Sequence, residues 1–171
     1  MSMHALGPEN GTLSVKTTRT GAAAKAGHNL LIDVTAWKAT MDATSIVLDV
    51  DSTSLRVREG TGGMQALDDD DKAGIAETID EEVLKRQPIE FRSTSVQVDG
   101  SRIAVEGELT LNGTTRPIAF ELNVGDGRLA GSVVVKQSDW GMSPYSTLFG
   151  TLRVVDEVEV VLDATFPDQS L

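Results

Sequence analysis

The chain has 171 residues, 40% of them hydrophobic, and contains no cysteine. That length suits one domain with one core, and the lack of cysteine excludes disulfide frameworks, thiol nucleophiles and Cys-ligated zinc together. With 26 acidic against 15 basic residues the net charge is -11, a surface that repels phosphate backbones and anionic membranes, so nucleic acid is not an expected partner.

The opening segment, MSMHALGPENG, has neither a basic n-region nor an apolar h-region, and no transmembrane span is seen. This predicts a cytoplasmic protein without integral membrane association, with residues 1–10 as a flexible tail. Leu13 and Val15 begin an alternating strand, and the small-residue run at 21–27 reads as a loop or a short helix. Residues 28–41 place His28, Leu30, Ile32 and Val34 on one side of a strand. Residues 45–59 do the same with Ile46, Leu48 and Val50, then with Leu55 and Val57 after a break.

The period then changes. Ile75, Ile79 and Val83 recur every four positions, which predicts an amphipathic helix over 69–86. Asp68–Asp71 lie at its start, Lys85 and Arg86 at its end, and Pro88 stops it. Strands follow at 89–98, 102–112, 117–125, 128–137 and 157–166. The clearest is a hairpin over 102–124. Ile103, Val105, Leu109 and Leu111 share one face, Asn112-Gly113 makes the turn, and Ile118, Phe120, Leu122 and Val124 resume the apolar face. Phe120 is expected to point inward, across from Leu109 or Leu111. The sum is about eight strands and one helix in a single unit of about 11–167, with 168–171 as a second tail. That pattern predicts an all-β fold, a sandwich or an up-and-down barrel.

Chemistry-bearing motifs are sparse. The two histidines, His4 and His28, are too few for a multi-histidine metal site, and no nucleophile elbow, P-loop or dinucleotide fingerprint occurs. Neither a metal nor a cofactor is expected. The GTGG run at 60–63 lacks the following Lys-Ser/Thr of a phosphate cradle and reads as a loop. Asp68–Lys72 invites a calcium reading, but an EF-hand loop starting at Asp68 needs Gly and Glu where this chain has Ala73 and Ile79. The run reads instead as a solvated helix start, and it spells an enteropeptidase cleavage site that a fraying helix would expose. His28 opens a strand at the mouth of the apolar interior, where a hydrogen-bonded structural role is favoured over a catalytic base. The segment 138–152 concentrates Trp140, Met142, Tyr145 and Phe149 in a chain that is only 4% aromatic. It could plug one end of the core or line a pocket for an apolar ligand.

Taken in order, Gly27-His28, PIEFRSTSV (88–96), GELTLNGTTRPIAF (107–120), SDWGM (138–142) and DEVEVVLDATF (156–166) resemble the YceI-like family of lipid-binding or polyisoprenoid-binding proteins. The resemblance implies a lipocalin-like antiparallel β-barrel that encloses a long isoprenoid chain, often as a homodimer. Family members are often exported, and the family commonly has Phe where this chain has Trp140. The reading that follows is a non-catalytic carrier of a polyisoprenoid or another long apolar lipid. Its expected contacts are His28, Leu30, Ile32, Phe91, Leu109, Phe120, Trp140, Tyr145 and Phe149. Two alternatives stand beside it. One is a lipid-modifying enzyme that pairs His28 with Asp139. The other is a structural or stress-related dimer with a solidly packed core, which Gly107 and Gly131 on apolar faces mildly disfavour.

Overall fold

The computed structural model describes residues 4–21, 29–61, 67–143, 146–147 and 152–165. Among these the chain forms β1 (His4–Leu6), β2 (Gly11–Thr17), β3 (Arg19–Thr20), β4 (Asn29–Val34), β5 (Trp37–Met41), β6 (Ile46–Val50) and β7 (Leu55–Thr61). Helix α1 (Asp69–Thr78) follows, then β8 (Ile89–Asp99), β9 (Arg102–Leu111), β10 (Thr114–Gly125), β11 (Arg128–Lys136), β12 (Ser146–Thr147), β13 (Leu152–Val154) and β14 (Glu157–Thr165). The fold is the expected all-β class with one helix. The strand count exceeds eight for two reasons. Both segments of the first half bend and are divided, 28–41 into β4 and β5 and 45–59 into β6 and β7. The short β1, β3, β12 and β13 also carry too few residues to show a period.

Eleven strands make one antiparallel sheet in the order β1-β5-β6-β8-β9-β10-β11-β14-β2-β4-β7. The sheet curls around its interior because residues 29–61 form one long bent hairpin. Its β4/β7 half pairs with β2, and its β5/β6 half pairs with β8. At the corner, Thr35 N–H donates to Ser54 O and Asp51 N–H donates to Ala36 O, each at 3.0 Å. Asp51 caps the 3₁₀ turn Ser52–Ser54 there. Hydrogen bonds from the Thr53 hydroxyl and then its N–H hold the Asp51 carboxyl below the usual carboxylate range.

The hairpin legible in 102–124 is β9/β10. Asn112 and Gly113 have φ of 50° and 73°, as a two-residue type I′ turn requires. Asp126 and Gly127, at 52° and 75°, make the matching turn between β10 and β11. The two-residue turn pairs Leu111 with Thr114, so the register sets Phe120 opposite Val105. Leu109 faces Arg116 instead, which corrects the expected cross-strand neighbour of Phe120. The inward face is nonetheless the expected one. Ile103, Val105 and Leu109 are buried, while Ala104, Glu106 and Glu108 are exposed. Ile103, Val105, Met41 and Leu129 are the largest fully buried side chains, and each contributes roughly 1.5–3 kcal/mol by leaving water. On the outer face, ion pairs Arg58–Asp33, Arg102–Glu121 and Arg128–Asp163 bridge neighbouring strands.

Two expectations for the termini of elements are corrected. Residues 4–6 are not a tail: they pair with β5, and His4 and Leu6 are buried. The helix is also shorter than 69–86. The α-helix stops at Thr78 and a π-helical turn, Ile79–Val83, continues it. An exact four-residue repeat drifts by about 40° per step on an α-helix, and a wider turn removes that drift. Ile79 and Val83 thereby stay on the inner side with Ile75. Lys85 and Arg86 lie beyond the helix, both in the left-handed region, with φ of 52° and 55°. Arg86 folds back, its N–H donating to Asp80 O and its guanidinium pairing with Asp80 and Glu81. At the other end Asp68 and Asp71 form a reciprocal capping box, each carboxylate accepting the other's backbone N–H.

Candidate functional site

The inner faces of the curled sheet and the apolar face of α1 line a half-open cavity of about 990 Å³. Alternation positions its wall. On β10, Ile118, Phe120 and Leu122 point inward while Ala119, Glu121 and Asn123 face water. Phe91 on β8 reaches across β9 to Phe120, with ring centroids 5.4 Å apart and planes tilted by 55°. Gly107 on β9 makes this crossing possible. A Cβ there would lie 2.6 Å from Phe91 Cζ and 2.4 Å from Arg92 O. At Gly131 a Cβ would lie 2.6 Å from Leu122 Cδ2. These glycines therefore admit neighbouring side chains and do not open space, contrary to the reading drawn from the sequence. The space comes from the curvature of the sheet, and the interior is not packed solid.

Of the residues expected at the site, Leu30, Ile32, Phe91, Leu109 and Phe120 lie on the cavity wall. Trp140 does not. It is 3% exposed, yet it sits off the wall and its Nε1–H donates to Leu109 O at 2.8 Å. It pins the 3₁₀ turn Gln137–Trp140 onto β9. Met142, two residues on, does reach the cavity. His28, Tyr145 and Phe149 lie outside the described residues. Asp139, the carboxylate of the acid-base alternative, is exposed and is not part of the wall. The carboxylate that engages that turn is Asp156, just before β14, accepting from Ser138 N–H at 2.8 Å and from the Ser138 hydroxyl.

Sequence reasoning missed Trp37 and Met41 on β5, Leu129 on β11, and the helix face of Ile75, Ile79 and Val83 as wall residues. The signals were present. Trp37, Ala39 and Met41 alternate, and the four-residue repeat of the helix marks its inner side. Nothing local says that a helix joins a barrel wall. Trp37 also carries a buried indole N–H that has no hydrogen-bond partner among the described residues.

The family model of the YceI-like domain matches residues 8–166. The chain belongs to the YceI-like family. Solved structures agree on the fold. BcnA of Burkholderia cenocepacia superposes with a TM-score of 0.64 at 13% identity, over 90% of this chain and 94% of that one. The Campylobacter jejuni YceI protein gives a TM-score of 0.53 at 12% identity, over 80% of this chain and 85% of its own. A mutant CJ YceI protein with a monobromobimane guest gives 0.59 at 12% identity, over the same shares. At these identities the likeness shows the fold alone. No curated protein matches the chain.

Proposed function

We propose that this YceI-like chain is a non-catalytic carrier that holds a polyisoprenoid or another long apolar lipid inside the curled sheet. The observation that carries the reading is the cavity of about 990 Å³, whose wall is built from inward Leu, Ile, Val, Phe and Met side chains. Apolar burial contributes about 0.8 kcal/mol per CH2, so a chain of some tens of carbons is held without directional bonds. Ordering a flexible tail offsets part of that gain. The polyisoprenoid-binding character associated with the family supports the same reading.

The test follows the fate of a bound lipid. A prenyl lipid is incubated with wild type and with His28→Ala, each complex is re-isolated by gel filtration, and the lipid is extracted and analysed. A carrier retains the lipid and returns it chemically unchanged from both proteins. Lipid altered by the wild type and unaltered by His28→Ala would replace the carrier with an enzyme. Failure of wild type to retain any lipid would remove the binding role.

A further inference from the structure

We propose that α1 and the π-turn behind it form a side gate, which swings on Lys85 and Arg86 to let an apolar ligand in and out, and that the contacts of Arg86 with Asp80 and Glu81 hold it shut. This rests on the carrier reading and adds to it a route of exchange.

The gate fills a break in the sheet. Each neighbouring pair of strands in the order from β1 to β7 is joined by hydrogen bonds. The bend in the long hairpin divides its second arm, so that β6 pairs with β8 over Ile89–Arg92 while β7 pairs with β4. Among the described residues no second strand pairs with β7, and α1 packs on it instead. Ile75, Ile79 and Val83 carry the cavity wall across to Ile89 and Phe91 of β8. A strand can leave that wall only by breaking its ladder. A helix keeps its backbone hydrogen bonds within itself and can leave as a unit.

The helix is also lightly held. Among the described residues of α1 only Ala76 is buried, and Gly74 lies in the interior, where glycine weakens a helix. Few buried side chains put a segment at the low end of local stability. Beyond the π-turn Leu84 is 5% exposed and anchors the chain at the joint.

The joint itself is strained. Lys85 and Arg86 are consecutive, both carry a Cβ, and both sit in the left-handed region. Asp80 is mostly buried, and its Oδ1 has no hydrogen-bond partner among the described residues, so that oxygen has lost its water without replacement. Opening the joint relieves both costs. Arg86 opposes it: its N–H donates to Asp80 O at 2.9 Å, its Nε to Asp80 Oδ2 at 3.3 Å and its Nη2 to Glu81 Oε1 at 3.1 Å. The Arg86 side chain is largely exposed, so salt weakens its ion pairs. Left-handed non-glycine residues and π-turns of this kind gather where a fold moves or works.

The experiment follows Nile red, an uncharged dye that fluoresces on leaving water, by its uptake after mixing and its release after dilution. The chain has no cysteine, so Asp80→Cys with Arg86→Cys makes a lone thiol pair, at positions whose backbones are already hydrogen-bonded. Both rates should be at least about tenfold slower with the bridge formed than after reduction of the same protein. Arg86→Ala should exchange the dye at least about threefold faster than wild type at low salt. Its affinity should change by less than about twofold, because the closed form still dominates. Salt at about 0.5 M should bring the two proteins together. Equal rates in the bridged and reduced forms overturn the gate, as do wild-type rates in Arg86→Ala at low salt, and that variant decides alone if no bridge forms. Faster release with a matching loss of affinity would mean a damaged site and overturns the gate too. Wild type that takes up neither Nile red nor hexaprenol would instead overturn the carrier reading, and this inference with it.

Discussion

Phe120 and Glu121 are neighbours in sequence on opposite faces of β10, so one pair of substitutions tests the inward face. In the structure Phe120 is half-buried on the cavity wall and Glu121 is exposed, pairing with Arg102 at 3.1 Å. Phe120→Asp removes the ring contact with Phe91, worth about 0.5–1.5 kcal/mol. It also removes about half of the 1.5–3 kcal/mol that full burial of the side chain would give. The folded protein should therefore lose about 2 kcal/mol. The new carboxylate faces apolar side chains, and lipid entry would strip its water with no cation opposite, so retention should be abolished. Glu121→Lys breaks an exposed ion pair, which is worth about 0–1 kcal/mol, and should leave retention as it is. Urea unfolding followed by fluorescence gives the first quantity, and extraction of co-purified lipid gives the second. If the two variants behave alike in both assays, the inward face has been misassigned by one residue of register.

The two tryptophans should respond oppositely to Phe. Trp140→Phe removes the hydrogen bond from its Nε1–H to the Leu109 carbonyl and should cost about 0.5–1.5 kcal/mol with little change in retention. Trp37→Phe removes a buried donor that has no partner among the described residues, so unfolding measurements should find it close to neutral. Gly107→Ala drives a methyl into Arg92 O and Phe91 Cζ, and should lower stability by about 1–3 kcal/mol in the same assay. Hydrogen bonds from Thr53 hold the folded-state pKa of Asp51 below the usual carboxylate range. Its contribution is therefore present above the unfolded pKa and is lost as pH falls through the folded one. Asp51→Asn should flatten the acid limb of a stability profile below about pH 4, and an unchanged limb would contradict the cap geometry. Finally, Lys72–Ala73 lies inside the capped first turn of α1, so enteropeptidase should cut the native chain far more slowly than a peptide of the same sequence. Equal rates would show that this turn is open.

Much of the second half was legible because its information is local. Alternation in 102–124 and the two-residue Asn-Gly turn each determine geometry within a few residues, as does the acidic helix start of the first half. The first half was harder. The bend that divides 28–41 and 45–59 depends on hydrogen bonds between Thr35, Ala36, Asp51 and Ser54, which join residues well apart in the chain. β1 has three residues and exists through its pairing with β5. The helix end was misread because the charge pattern placed Lys85 and Arg86 in a last turn, whereas Pro88 and the Arg86–Asp80 pair turn the backbone out of the helix. At the site, inward aliphatic and Phe positions followed from periodicity. The separation of Trp140 from the cavity did not, because one hydrogen bond to the Leu109 carbonyl decides it.

The central claim is that the cavity of about 990 Å³ is a lipid site. The most direct measurement is native mass spectrometry of the protein purified from its own source without detergent, followed by solvent extraction of the same sample. The account predicts a mass increment above the bare chain that disappears on extraction and reappears in the organic phase as a prenyl or other long-chain lipid. Bare-chain mass alone, unchanged after the protein has been incubated with hexaprenol, would contradict it.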